Sequence, residues 1–547
     1  MRWTCIFVAL LVLPVALLGQ GAGHRDAKDR GAPLFDNLGK HHHPITTNSK
    51  MAQRYFDQGL ILTYAFNHHE AIRSFREAAR HDPTCAMAWW GVALAYGPNI
   101  NAAMTDDVVP KAYEALQKAL ALAPKASAKE QAYIAALAKR YTDKPVKDRS
   151  MLDKAYAEAM GELAQRYPDD LDAATLYAEA LMTVTPWDYW TPEGQPKSGT
   201  DAVLAALERV LKRDPDHPGA NHYYIHAVEA SPFPERGLPA AHRLGDVCPG
   251  AGHLVHMPSH IFLRVGQYHE ASLCNERAIA ADESYIAECK VQGFYPAVYY
   301  SHNVHFLWYT TSMEGRSADS IRAGRKSAAV LTEKDVHAVP SLQWLKAVPI
   351  FALARFGHWD ELLREPRPAD GALYERAMWH YGRGLAFVRK RQLDDAAREL
   401  EQLKQIDANP DAKALDMPNF PGAQLIRIAH ALLAAEVEGL RGNRAAQVRG
   451  LEEAVRLQDA LPYMEPPYWY YPVRQSLGAA LLEAGQPAKA EAVYREDLRR
   501  HPRNGWSLFG LLQCLRAQGK TEEAAEVQKQ FQDAWKYADV TLTASRF

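Results

Sequence analysis

Apolar and small residues recur along most of the chain at steps of three and four, the period at which side chains share one face of a helix. No stretch alternates apolar and polar residues strongly enough to predict a strand. The predicted helices come in pairs. Between residues 52 and 83, Gly59, Leu62, Ala71, Phe75, Ala78 and Pro83 stand at the spacing of a helix-turn-helix unit of about 34 residues. Small residues fall where two helices touch, and proline closes the second. The pattern returns at Gly91, Leu94, Ala112, Ala119 and Pro124, then at Gly478, Leu481, Ala490, Tyr494 and Pro502. A last unit surrounds Gly519 and Ala524, and weaker copies fill 168–215, 218–249, 252–282, 302–332, 343–362, 378–403 and 426–457.

On these residues the chain resembles the tetratricopeptide repeat superfamily over most of residues 52 to 535. Within it the chain looks like a group of exported bacterial proteins with histidine-rich central repeats. The resemblance implies an all-α fold, a solenoid of helical hairpins wound as a right-handed superhelix. It also implies that the first helix of each hairpin lines a concave groove that binds a protein or peptide. The expected organisation is a signal peptide at 1–23, an N-terminal arm at 24–51, an N-terminal array with a histidine-rich groove at 52–332 and a C-terminal array at 333–547.

Histidine changes this picture. Three successive hairpins carry His222 and His226, then His253, His256 and His260, then His302 and His305. Repeat alignment puts them in equivalent slots on first helices, at the second, fifth and ninth residues, the face that the resemblance assigns to the groove. Residues three or four apart share a helical face, so His222 with His226, and His256 with His260, are each spaced to pinch one ion. A lone helical histidine is more often a hydrogen-bonded core residue. Seven clustered neutral imidazoles without an ion leave many donors and acceptors to satisfy, and protonating them sets charge against charge. All seven are therefore candidate ligands for a transition metal, zinc, copper or iron, bound as one ion or two. Glu229, three residues beyond His226, is a candidate ligand, orienting partner or catalytic base. Pro258, inside the helix bearing His253, His256 and His260, frees the Leu254 carbonyl and predicts a kink.

Insertions after two first helices, at 97–107 and 185–200, are rich in proline, asparagine and aromatics. Such loops ride on one rim of a solenoid, so Asn99, Asn101, Trp187, Asp188 and Trp190 are candidate ligand-binding residues. The run His41-His42-His43 reads as an exposed loop, with folding back as a ligand-bearing arm the alternative. His68 and His69 read as turn or surface residues, and the aromatic run from Tyr463 to Tyr471 as packing between repeats.

With 547 residues, 48% apolar, the chain can bury a large core. A net charge of -2 spread over mixed-sign helices gives no field for nucleic acid. Arg2, the apolar stretch from Cys5 to Leu18 and the small residues Gly21, Ala22 and Gly23 read as a secretory signal, and no later segment is apolar enough to span a membrane. The expected location is periplasmic or secreted. Signal cleavage leaves five scattered cysteines, read mostly as buried apolar residues. No phosphate loop, serine nucleophile elbow or His-Glu-x-x-His motif occurs. Three readings follow: an exported scaffold whose groove binds a transition metal and holds a partner or small ligand, a hydrolytic or oxidative metal-dependent enzyme using the same cluster, or a metal-free interaction module.

Overall fold

The computed structural model describes residues 31–291, 295–332, 336, 342–417 and 420–547. The signal segment lies outside them. The chain forms two compact units, one comprising the residues up to Ile261 with Arg277–Tyr300, the other Phe262–Glu276 with Ser301–Phe547. Both are helical, and the only strands among the described residues are the two-residue pair Asp416–Met417 and Phe420–Pro421.

In the first unit α1 (Lys50–Tyr64) pairs with α2 (His68–His81), α3 (Ala86–Ala95) with α4 (Val109–Leu122), and α6 (Ser150–Arg166) with α7 (Leu171–Val184). Between them lies α5 (Ala128–Leu137); α8 (Thr200–Arg213), α9 (Pro218–Glu229) and α10 (Leu238–Val247) follow. The small positions of the sequence pattern have a direct cause. Phe75 of α2 is wedged between α1 and α3, and a Cβ on Gly59 or Gly91 would lie 2.7 or 2.4 Å from its ring. Helix starts carry side-chain caps: Ser49 accepts from Ala52 N–H, Asp170 from Ala173 N–H, and Ser127 forms a reciprocal capping box with Glu130.

The next helix is broken. A five-residue segment α11 (Gly252–His256) stops at Met257, and the chain resumes helical form at Pro258, whose missing N–H interrupts the ladder.

The second unit repeats the wedge with another aromatic. Tyr494 on the helix Pro487–Arg500 stands between Gly478 and Gly510, where a Cβ would lie 2.3 and 2.2 Å from its ring. Its hydroxyl bonds Ser545, which donates onward to the Gln475 carbonyl, so the last residues fold back onto the repeats. Trp469 and Tyr470 are buried against Phe351 and Tyr381, and Tyr471 packs edge-on against Tyr470, in the packing role expected of that run. Among the described residues no helix is long and apolar enough to cross a membrane.

Candidate metal centre

The site is built on α9 and α11, next to the end of α1. Helix α9 opens with His217 as its cap, whose Nδ1 accepts from Ala220 N–H at 3.2 Å, and with Pro218 in the first turn. All twelve of its residues are buried, so His222, His226 and Glu229, at successive turns of one face, point into protein rather than solvent. Burial of so many polar groups demands partners.

Those partners fix the imidazoles. His222 donates from Nδ1 to the Tyr64 carbonyl at 2.6 Å, one of the carbonyls that the end of α1 leaves without a helical donor. His226 donates from Nδ1 to Glu229 Oε1 at 2.7 Å. Each ring is thereby held in the tautomer whose Nε2 carries a lone pair, and neither Nε2 has a hydrogen-bond partner. One ring nitrogen from each of His222, His226 and His253 lies within 4.8 Å of the others. Burial, followed by the neighbouring His226, pushes His222 well below the usual imidazole range; burial lowers His226 as well, against the pull of Glu229. Both are neutral near pH 7. An outer nitrogen bonded to a carbonyl or carboxylate, with the inner one left as a bare donor, is the arrangement that metal-binding histidines use.

Glu229 serves two rings. Its Oε1 accepts from His226 Nδ1 and its Oε2 from His260 Nδ1 at 2.5 Å. Burial opposes its charge, but His260 and His226 hold the carboxyl well below its ordinary value, so it is an anion that orients imidazoles. From His260 the chain of bonds continues, His256 Nε2 lying 2.9 Å from His260 Nε2 and Ser259 Oγ 3.3 Å from His256 Nδ1.

Phe66 covers the rings, and nothing in the sequence pattern had singled it out. It sits in the left-handed region, φ 56°, just past the end of α1. Bonds from Phe66 N to the Thr63 carbonyl and from Asn67 N to the Leu62 carbonyl complete a Schellman turn there. Gly266, Gly315, Gly357, Gly442, Gly485 and Gly519 fill the equivalent place in other hairpins, while Arg391 also departs from glycine. Placing phenylalanine where glycine costs nothing brings its ring 4.6, 5.5 and 6.2 Å from those of His222, His253 and His226. Trp187, from the 185–200 insertion, is a second bulky residue at positive φ, 62°, and its ring meets His226 edge-on at 4.9 Å. Strained backbone of this kind persists where the surroundings over-determine it, often at functional sites.

A second cluster lies in the same unit. The arm folds back, against the loop expectation, and brings His41 and His43 onto Asp172 of α7. Asp172 Oδ1 accepts from the Tyr64 hydroxyl at 2.5 Å and lies 3.0 Å from His41 Nε2 and 3.2 Å from His217 Nε2; Oδ2 lies 2.7 Å from His43 Nδ1. Burial raises the Asp172 carboxyl, but His41, His217 and His43 outweigh it and hold it far below the ordinary range. His41 and His43 are raised, burial being outweighed by Asp172. An ion fits poorly here. His217 spends Nδ1 as an acceptor, so Nε2 carries the proton, and neighbouring Asp170 is paired with Lys129 at 2.8 Å.

A cavity of about 300 Å³ opens at the start of α11, lined by Phe35, Asn37, Leu62, Gly252, Asp282 and Tyr295 among others. Tyr295 lies 5.4 Å from Tyr299, whose ring is 4.8 Å from that of His253.

The tetratricopeptide repeat family matches residues 56–96 and 476–539, the segments that hold the Phe75 and Tyr494 wedges. The chain carries tetratricopeptide repeats. No curated protein matches it in sequence. Among solved structures, the human IFIT1 dimer with m7Gppp-AAAA is 11% identical, covering 90% of this chain and 91% of that one at a TM-score of 0.32. The APC/C hetero-tetramer Cut9-Hcn1 is 12% identical, covering 91% of this chain and 78% of that one at 0.29. Likenesses that distant say nothing of function.

The helices of the first unit thus bring together His222, His226 and His253, with Glu229, His256 and His260 joined through hydrogen bonds. His302 and His305 belong to the second unit. There His305 is packed against Trp344 and Trp308 at 4.3 and 5.0 Å, burial pushes it down to about 3, and the ring of His302 lies 5.3 Å from Phe306. Of the loop residues expected to bind a ligand, Trp187 reaches the cluster directly, and Asn101 stands beside the Tyr299 hydroxyl. Trp187 Nε1 and Asn101 Oδ1 are both buried without hydrogen-bond partners. Asn99 anchors its own loop by accepting from the Asn101 and Ala102 amides, Trp190 donates to the Ala227 carbonyl at 2.8 Å, and Asp188 pairs with Lys197. His68, read as a turn residue, is lowered to about 4 by burial and lies 3.4 Å from the Asn99 side chain.

Proposed function

We propose that the protein is an exported tetratricopeptide scaffold that holds a transition-metal ion, zinc, copper or iron, on His222, His226 and His253 and presents it to a partner or small ligand. The observation that carries this reading is the pair of buried Nε2 atoms on His222 and His226, each facing the cluster with no hydrogen-bond partner while its Nδ1 is committed. Two such orphans cost about 1–3 kcal/mol each unless something binds them. Neutral rings offer their lone pairs without proton competition. Trp187 and Asn101 supply a donor and an acceptor for whatever completes the shell.

Three protein nitrogens leave a coordination position to be filled from outside, as catalytic zinc sites do, and this favours metal-dependent catalysis as the second reading. Glu229 then orients ligands, since both its oxygens face imidazoles. The test is elemental analysis of full-length protein purified without a histidine tag and supplied in turn with each metal. About one ion per chain is expected, with loss of it in a His222→Ala, His226→Ala double variant; wild-type protein that retains none refutes the reading. Export is checked by sequencing the N-terminus of the mature protein, which is expected to begin near residue 24.

A further inference from the structure

The hub around Asp172 and the three-histidine site share one residue. The Tyr64 hydroxyl donates to Asp172 Oδ1, and the carbonyl of the same residue accepts the Nδ1 proton of His222. Tyr64 is fully buried, and its ring lies so close to the first turn of α9 that a Cβ on Gly219 would fall 2.6 Å from it. Its ring and main chain are therefore held at opposite ends, one by the hub and one by the imidazole.

We propose that Asp172 is a positioning residue for the metal site, holding Tyr64 so that its carbonyl presents His222 with Nε2 bare, and that the arm bearing His41 and His43 belongs to the metal-binding apparatus. This rests on the metal reading of His222, His226 and His253. The reasoning is one of tautomers. A neutral imidazole keeps a lone pair on Nε2 only while its proton stays on Nδ1, and the Tyr64 carbonyl is the acceptor that keeps it there. Loosening Tyr64 lets the proton move to Nε2, which then has no electron pair for an ion. The arm contributes because His41 and His43 supply two of the four donors that surround Asp172, beside His217 and Tyr64 itself.

The experiment uses the full chain without a tag, titrated with zinc against a chromophoric chelator and, separately, with cobalt(II) to read its visible bands. Asp172→Asn keeps the size and removes the charge. It is expected to weaken zinc binding about 10- to 100-fold and to shift the cobalt bands, with the far-UV circular dichroism of the wild type retained. Tyr64→Phe, which cuts only the hydroxyl link, and a His41→Gln, His43→Gln double variant move both readouts the same way by less. A shift of the cobalt bands is what a purely structural role would not produce. Should Asp172→Asn fail to fold, Tyr64→Phe decides. Wild-type zinc affinity and unchanged cobalt bands in the folded variants overturn this inference alone, whereas a wild-type chain that binds no metal overturns it together with the metal reading.

Discussion

The two histidine clusters of the first unit use the same residue types to opposite ends. At the hub the anion is inside: Asp172 stands among His41, His43, His217 and Tyr64, and all four donate to it. At the α9 site the anion is outside: Glu229 lies behind His226 and His260 and accepts from their outer nitrogens. Imidazoles around a carboxylate need no ion, because the carboxylate uses up their donors. Imidazoles whose outer nitrogen is backed by an acceptor, as in His222 and His226, turn inner lone pairs inward with no hydrogen-bond partner, and a cation relieves that. Histidine number is therefore a poor guide to a metal site. The place of the acceptor decides.

The sharpest way to break this contrast is to cut each cluster at its centre. His222→Ala with His226→Ala is expected to abolish stoichiometric metal uptake, read by elemental analysis after dialysis. The metal-free protein should also melt lower, because the Tyr64 carbonyl and Glu229 Oε1 lose their donors, at about 1–3 kcal/mol each, and relief of the two orphaned nitrogens offsets only part of that. Asp172→Ala should do the reverse in its first effect. It strands buried imidazoles without their counter-charge and is expected to cost about 3–5 kcal/mol in urea melts of the metal-free protein.

Glu229→Gln sharpens the comparison at smaller scale. An amide accepts from one Nδ1–H but presents its own N–H to the other, so either His226 or His260 must change tautomer. A protonated His226 Nε2 cannot bind an ion, and zinc affinity by chelator competition should fall about 10-fold or more. Phe66→Gly tests the cover. Glycine relieves the left-handed strain, about 1–2 kcal/mol, but deletes a ring that is 3% exposed, a change of the kind that costs about 3–5 kcal/mol. Packing wins. The expected net loss is about 2 kcal/mol by denaturant melts, with weaker metal binding.

The hairpins were legible in the sequence because packing dictates them: a ring between two helices admits only glycine at Gly59 and Gly91, and again at Gly478 and Gly510. The pairing of His222 with His226 was legible for the same reason, a shared helical face. Phe66 was not, although the signal was there, a phenylalanine where other hairpins place a turn glycine. Asp172 was hidden more deeply. It is one acidic residue in the first turn of α7, an ordinary place for a carboxylate at a helix start, and its meaning depends on an arm 129 residues earlier folding back to bring His43 onto it. Periodicity reports which face a residue occupies, not which distant segment will meet it. His305 shows the converse, since a position equivalent by repeat alignment is packed among tryptophans.

The smallest expected effect is a pH dependence at the hub, opposite in sign to that of the α9 site, where His222 and His226 are lowered by burial and cost stability as pH falls. His41 and His43 have folded values raised above the ordinary imidazole value of about 6.5. Their contribution to stability is fully present below that value and is lost as pH rises through the folded ones. Asp172 is displaced the other way, so its contribution holds above about 3.9 and fails only as pH falls through its lowered value. The groups facing His41 are Asp172, Asp57, Asp214, His217 and Tyr64, and those facing His43 are Asp172, Asp170, Lys129 and Tyr133. Carboxylates outnumber the single ammonium, which is why the protonated forms are favoured. Urea melts of metal-free wild type and of the His41→Gln, His43→Gln variant should therefore differ most at about pH 6 and converge toward pH 9, the difference being on the order of 1 kcal/mol. A gap that stays constant across that range would mean that the arm is held by packing, and that its imidazoles carry no charge at the hub.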